Sequence, residues 1–475
     1  MNPESSLSPS SQASRRNFLK TSLAGALAFP TIIPARVLGA DAPSRKINLL
    51  QIGCGRIART LDLPGFLKHD SIGRVVAVCD LDSIRLAETK QFVESSYAKK
   101  NISLTVAAFS DYRKALQQEG IDAVSISTPD HWHAQLIAEA VLAGKDVYVQ
   151  KPLTMTLAEG RAISDLFRQH PQMFQIGSQR RSSSGFRQAC EAVRNGRIGK
   201  LHTVKVGLPL DPSGGDTKEM PVPSNLDYER WLGPTPLAPY NEDRVHSQNP
   251  DPKKRFGDRP GWLRIESYCL GMITGHGAHY GDIAQWGMGT EMTGPVEIEG
   301  RAEFPKQGLW NVHGAYDVEA KYANGITLVL SNKLPSGVRF EGSDGWVWVT
   351  GSAQKVTASD PVTQKSKNKP LDASNPDILL TPLGEKEIHL HVSPQDDHHL
   401  DTLTSFQTRQ PASTTPEQAH RSTSVCIVSW IAMKLGRKLR WDPQAERFLG
   451  DDAANAMLTR VERAPWGVLS LLKKA

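Results

Sequence analysis

Cysteine is sparse. The five cysteines in 475 residues, at positions 54, 79, 190, 269 and 426, form no CxxC pair, and Cys79 falls inside an apolar run with strand character. That excludes a disulfide-built scaffold and leaves the thiols as small buried hydrophobes. Long apolar runs are also missing: beyond the first 40 residues none is long enough to cross a bilayer, so no membrane span is expected after the N-terminus. Charge of one sign is scarce. The formal charge is +6, and half of it comes from Arg15, Arg16, Lys20 and Arg36 set against Glu4 in the first 40 residues, which gives no electrostatic case for nucleic acid. No internal repeat is present, and the polar stretch 359–374 reads as a loop. His276 and His279 lack a third ligand at convincing spacing, so no metal is expected.

What is present begins with a turn. The apolar run Ile47-Asn48-Leu49-Leu50-Gln51 closes on Ile52-Gly53-Cys54-Gly55-Arg56-Ile57-Ala58 and then reads as helix. This is the layout of a dinucleotide-binding turn: Gly53 for the tight bend, Gly55 for close approach to a pyrophosphate, Ala58 for helix packing, and the helix N-terminus for the phosphates. Arg56 and Ile57 share that contact. A second strand, Arg74 to Cys79, ends at Asp80, where a carboxylate hydrogen-bonds the adenosine ribose and favours NAD over NADP. Arg85, five residues on, leaves a cation within reach of a 2′-phosphate.

Strand and helix keep alternating: strand 121–128, helix 133–143, strand 146–150. This rhythm predicts an α/β fold with a parallel, doubly wound sheet, a Rossmann domain over 45–170, whose ligands sit at the carboxyl ends of its strands. Thr128, Pro129, Gln150 and Lys151 lie at such ends, and a lysine there is costly unless paired or used. From 171 to 475 strand-like runs separated by turns predict a second, α+β domain with a large, mostly antiparallel open sheet. The Pro- and Gly-rich stretch 209–260 reads as a surface excursion that could lie over a substrate. His279, Asp282 and Trp286 share one helical face, so His279 is either an acid/base or a core histidine satisfied by Asp282. Arg180, Arg181, Trp262, Arg264 and Tyr268 are residue types that suit a polar, sugar-like ligand.

The N-terminus carries an address. Ser14-Arg15-Arg16-Asn17-Phe18-Leu19-Lys20, a short apolar segment and a small-residue exit at Gly39-Ala40 read as a twin-arginine export signal over 1–40, predicting a periplasmic location. Proteins on that route travel folded, into a compartment without a free nicotinamide pool. A cofactor enzyme exported this way is expected to load NAD first and recycle it in place.

The ordered set formed by the glycine turn, Ser127-Thr128-Pro129-Asp130-His131-Trp132-His133, Ala143 to Pro152, and Gly277-Ala278-His279-Tyr280-Gly281-Asp282 resembles the Gfo/Idh/MocA oxidoreductases. Gly337 to Gly342 and Gly436 to Pro443 resemble an exported bacterial branch of them. The resemblance implies that Lys151 sits between nicotinamide and substrate, that His279 is the acid/base, that His133 lies near the cofactor, and that the chain forms a homo-oligomer by sheet pairing. Two departures stand out: Gln150 replaces the family's glutamate, and Gly275 replaces an aspartate, with His276 beside it as a substrate-site candidate. Three functions stay open: an NAD-dependent oxidoreductase acting on a sugar or polyol hydroxyl, a glycosidase working by transient oxidation and elimination, and a non-catalytic sugar-binding relative.

Overall fold

The computed structural model describes residues 46–351 and 370–473; the twin-arginine segment and most of the polar 359–374 stretch lie outside the described residues. The part of that stretch that is described is not all loop, because residues 371–373 form a strand.

Six strands, β1 (Ile47–Ile52), β2 (Gly73–Cys79), β3 (Ala107–Phe109), β4 (Ala123–Ile126), β5 (Asp146–Val149) and β6 (Phe174–Ile176), form one sheet in the order β3-β2-β1-β4-β5-β6. Every pairing is parallel. β4 and β5 are buried along their whole length, as expected of strands covered by helices on both faces, and their near-continuous apolar sequence follows from that. The strand order reverses between β1 and β4, which opens a crevice beyond their carboxyl ends. β6 lies past residue 170, where the sequence suggested the first domain ends. The three residues Phe174, Gln175 and Ile176 are too few to carry a readable period.

The second sheet has nine strands: β7 (Leu201–Gly207), β8 (Glu297–Ala302), β9 (Tyr316–Lys321), β10 (Thr327–Ser331), β11 (Gly337–Gly342), β12 (Gly345–Val349), β13 (Leu371–Ala373), β14 (Leu439–Asp442) and β15 (Arg447–Phe448). Among the described residues only β7 and β10 run parallel; the other pairings are antiparallel. β9 alternates buried and exposed residues strictly, so one face packs inward and the other meets water. The inner face shares a core with the helices Gly277–Met288 and Pro416–Leu435, through Tyr280, Ile283, Val428 and Ile431.

The C-terminal third returns to the first sheet. Leu403 and Phe406, on the helix His398–Thr408, pack with Leu49 and Val75. That helix is capped by Asp397, which accepts from His399 N and Leu400 N and satisfies two orphan donors. The excursion 209–260 is more than a surface loop: Leu226, Tyr228, Trp231, Tyr240 and Val245 form a small core with Ile265 and Tyr268.

Candidate functional site

A cavity of about 410 Å³ opens at the crevice, and Gly53, Gly55, Arg56, Ile57, Asp80, Thr128, Pro129, Gln150 and Lys151 all line it. Gly53 has φ +85°, and a Cβ there would sit 2.7 Å from the Ser127 carbonyl oxygen, so the bend requires glycine. At Gly55 nothing lies within 4 Å of a Cβ position; the space faces the cavity. Arg56 lines that space, and its Nε has no hydrogen-bond partner among the described residues. Open backbone room, a helix start and an unpaired guanidinium fit the pyrophosphate of a dinucleotide.

Asp80 reaches back to the turn: Oδ2 accepts from Cys54 N at 2.6 Å and Oδ1 from Asp82 N at 2.8 Å. Burial pushes its carboxyl up to about 6 against those two hydrogen bonds. Arg85 donates to the carbonyls of Ser247 and Arg255 at 2.8 and 3.0 Å and lies over the Phe256 ring. Both bonds come from one guanidinium nitrogen and Arg85 itself lines the cavity, so the preference for NAD rests on Asp80.

At the other end Lys151 donates from Nζ to the Gly275 carbonyl at 2.7 Å. Burial lowers its pKa; nearby Asp130 and Cys269 oppose the shift, and Arg180 and Arg56 add to it. The Gly275 backbone thus supplies Lys151 with an acceptor although the side chain is gone. His276 lines the cavity, pushed down to about 3 by burial and then by Arg180, Lys151 and Arg259. His279 stands behind it, 5.9 Å between ring centroids and outside the cavity wall, and its buried Nδ1 has no hydrogen-bond partner among the described residues. Burial, then Arg180 and Lys151, hold the His279 imidazole neutral at physiological pH, which leaves a lone pair able to take a proton.

Three sequence expectations are corrected. His133 is fully buried and does not line the cavity; Nδ1 lies 2.7 Å from the Pro152 carbonyl and Nε2 3.1 Å from that of Thr128. It braces the ends of β4 and β5 that hold the cavity wall. Arg181 is not a substrate group: 1 % exposed, it makes a two-pronged pair with Asp282 at 2.7 Å and a second with Glu291 at 2.6 Å. Ser422 Oγ also donates to Asp282. Asp282 therefore serves Arg181 and not His279. Arg264 lies over the Trp310 ring and outside the cavity wall, where Arg259, held by Asp211, stands in its stead.

Several wall residues were not singled out from the sequence. Asp130 is buried beside Lys151 with Oδ2 lacking a partner among the described residues, its carboxyl raised to about 7 by burial against the pull of Lys151. Trp466 lines the cavity from the C-terminal segment, packed edge-on to Trp132 at 5.0 Å with the Arg113 guanidinium 4.7 Å from its ring. The excursion contributes Pro209, Arg230, Trp231, His246 and Arg259.

Comparison with known proteins agrees with this architecture. Residues 47–178 match the oxidoreductase family described by its NAD-binding Rossmann fold, and residues 213–360 and 382–468 match the C-terminal alpha/beta domain of the same family. The myo-inositol 2-dehydrogenase of Thermotoga maritima is 28% identical over 182 residues, 38% of this chain and 48% of that protein. A glycosyl hydrolase family 109 protein of Shewanella sp. (strain ANA-3) is 28% identical over 166 residues, 30% of this chain and 35% of that protein. The match thus spans half or less of each relative. Among solved structures, the WlbA dehydrogenase of Bordetella pertussis, in complex with NADH and UDP-GlcNAcA, superposes with a TM-score of 0.59 at 14% identity, over 84% of this chain and 99% of that one; this likeness is one of fold.

Proposed function

The chain belongs to the Gfo/Idh/MocA oxidoreductases, and from that premise we propose that it transfers hydride between a sugar or polyol hydroxyl and an NAD that it keeps bound. The observation that carries the reading is Lys151 Nζ held at the Gly275 carbonyl beside His276, at one end of a cavity whose other end is the glycine turn, with His279 5.9 Å from the His276 ring. Bound there, the dinucleotide supplies the hydride acceptor. The chain's own groups handle the proton. A hydroxyl entering beside Gly275 competes with that carbonyl for Lys151, whose donated hydrogen bond lowers the hydroxyl's pKa. His279, neutral and unpartnered, takes the proton as the carbon gives up hydride. The apolar and aromatic walls from Met272 and Trp262 exclude bulk water and suit the faces of a sugar ring.

Export by the twin-arginine route, to the periplasm and with the cofactor already loaded, is part of the proposal, as is a homo-oligomer paired through the solvent-facing side of the nine-stranded sheet. The test is to add a panel of sugars, sugar acids and polyols to the purified full chain and follow the absorbance of reduced nicotinamide. A substrate that reduces the bound cofactor, and fails to do so with Lys151→Ala, supports the reading. The Shewanella relative favours a second reading, in which the oxidation is transient and a glycoside is cleaved with no net redox change. That reading predicts aglycone release and no accumulated reduced cofactor. Neither response across the panel would sink both.

A further inference from the structure

The glutamate that Gln150 replaces has a counterpart elsewhere in the structure. Asp62, wholly buried in a π-helical turn after the glycine loop, accepts from Ser127 Oγ at 2.7 Å, Tyr148 OH at 3.0 Å and His399 Nε2 at 3.2 Å. Gln150 Nε2 donates to both of its oxygens, at 2.8 and 3.0 Å. A carboxylate only accepts, so the Gln150 amide nitrogen must face Asp62 and its oxygen must face away. The surrounding donors point the same way: Tyr148 OH receives from Gln150 Nε2 and Gln179 Nε2, and Ser127 Oγ receives from Gln51 Nε2. Room for the amide oxygen comes from Gly177, where a Cβ would sit 2.7 Å from Gln150 Oε1. Gln150 and Ser127 both line the cavity; Asp62 stands behind them.

We infer that Asp62 is a positioning residue that locks the Gln150 amide with its oxygen as the available acceptor, so that Gln150 takes a hydroxyl donor of the bound dinucleotide as a carboxylate at position 150 would. The negative charge is moved one layer back and the acceptor is kept. The inference rests on the reading that this cavity holds NAD.

The charge can be moved forward again. Asp62→Asn leaves one acceptor oxygen for the donors of Ser127, Tyr148, Gln150 and His399 and adds an N–H₂ of its own, so Gln150 is no longer held; NADH affinity, from fluorescence titration of the full chain, is expected to fall about tenfold. Gln150→Glu alone sets two carboxylates where the amide now bonds, and is expected to weaken binding by at least about as much. Together the two changes restore one carboxylate facing one amide, and NADH affinity is expected to return to within about threefold of the parent.

A double variant as weak as the two losses combined overturns the inference, as do single variants that bind NADH like the parent. A parent chain that binds no NADH overturns the functional reading itself and the inference with it, which distinguishes the two failures. Where Asp62→Asn does not fold, Gln150→Met serves: it leaves Asp62 with three donors and removes the acceptor, and unchanged NADH affinity in it overturns the inference.

Discussion

Asp130 is a wall residue whose protonation bears on stability. Its carboxyl, raised from 3.8 to about 7, holds its proton more tightly in the folded chain than in the unfolded one. The stability this lends is complete below pH 3.8 and is lost as pH rises through about 7. In Asp130→Asn that loss is absent, so the variant's melting temperature should gain on the parent's steadily from pH 4 to 7 and hold level above; a constant difference across that range would contradict the assignment. For Lys151→Ala and His279→Ala the expected change is in kcat, a fall of about 10²–10⁴ with NADH still bound, measured on whichever substrate the panel yields. Equal binding with unchanged kcat would remove either residue from the proposed role. At this scale the sequence revealed what is local. Gly53, Gly55, Asp80, Gln150 and Lys151 announce themselves by neighbours along the chain. Asp62 does not, because its partners Gln150 and His399 are 88 and 337 positions away. Arg181 failed for the same reason in reverse: nothing near it in sequence foretells Asp282 and Glu291, 101 and 110 positions on.

Among elements, the strongest reading was the alternation of strand and helix through β5, because strands buried on both faces are written as near-continuous apolar runs. The C-terminal segment was the weakest. Its short turns have no period, and its place is set by long-range contacts: Arg460 donates to the His131 carbonyl and pairs with Glu159, Arg463 pairs with Glu229, and Gly467 N donates to Gln135. These bring Trp466 to the cavity wall. Trp466→Ala should therefore speed NADH release about tenfold, the scale of one lost aromatic contact, without changing sugar KM; an unaltered release rate would mean that the segment only supports the fold. Arg181 joins the helix Gly277–Met288 to Glu291 beyond its end. Arg181→Ala leaves Asp282 buried with one donor in place of three, and should lower stability by about 3–5 kcal/mol in a denaturant melt with substrate KM unmoved. A shifted KM with intact stability would return Arg181 to the substrate site.

Over the whole molecule the two sheets divide the work. The parallel sheet makes a cradle for a dinucleotide, and the second domain brings Gly275 and His276 to the end where Lys151 stands, with His279 behind His276. The excursion and the C-terminal segment both reach the cavity wall, so a bound dinucleotide would contact segments from four parts of the chain. Enclosure of that kind fits the proposal of an enzyme that keeps its cofactor bound. The most direct measurement is to purify the folded chain without added nucleotide, denature it, and identify what is released by mass spectrometry. The account predicts NAD or NADH at close to one per chain. A chain that releases no nucleotide and binds none of the NAD offered to it would contradict the account at its centre.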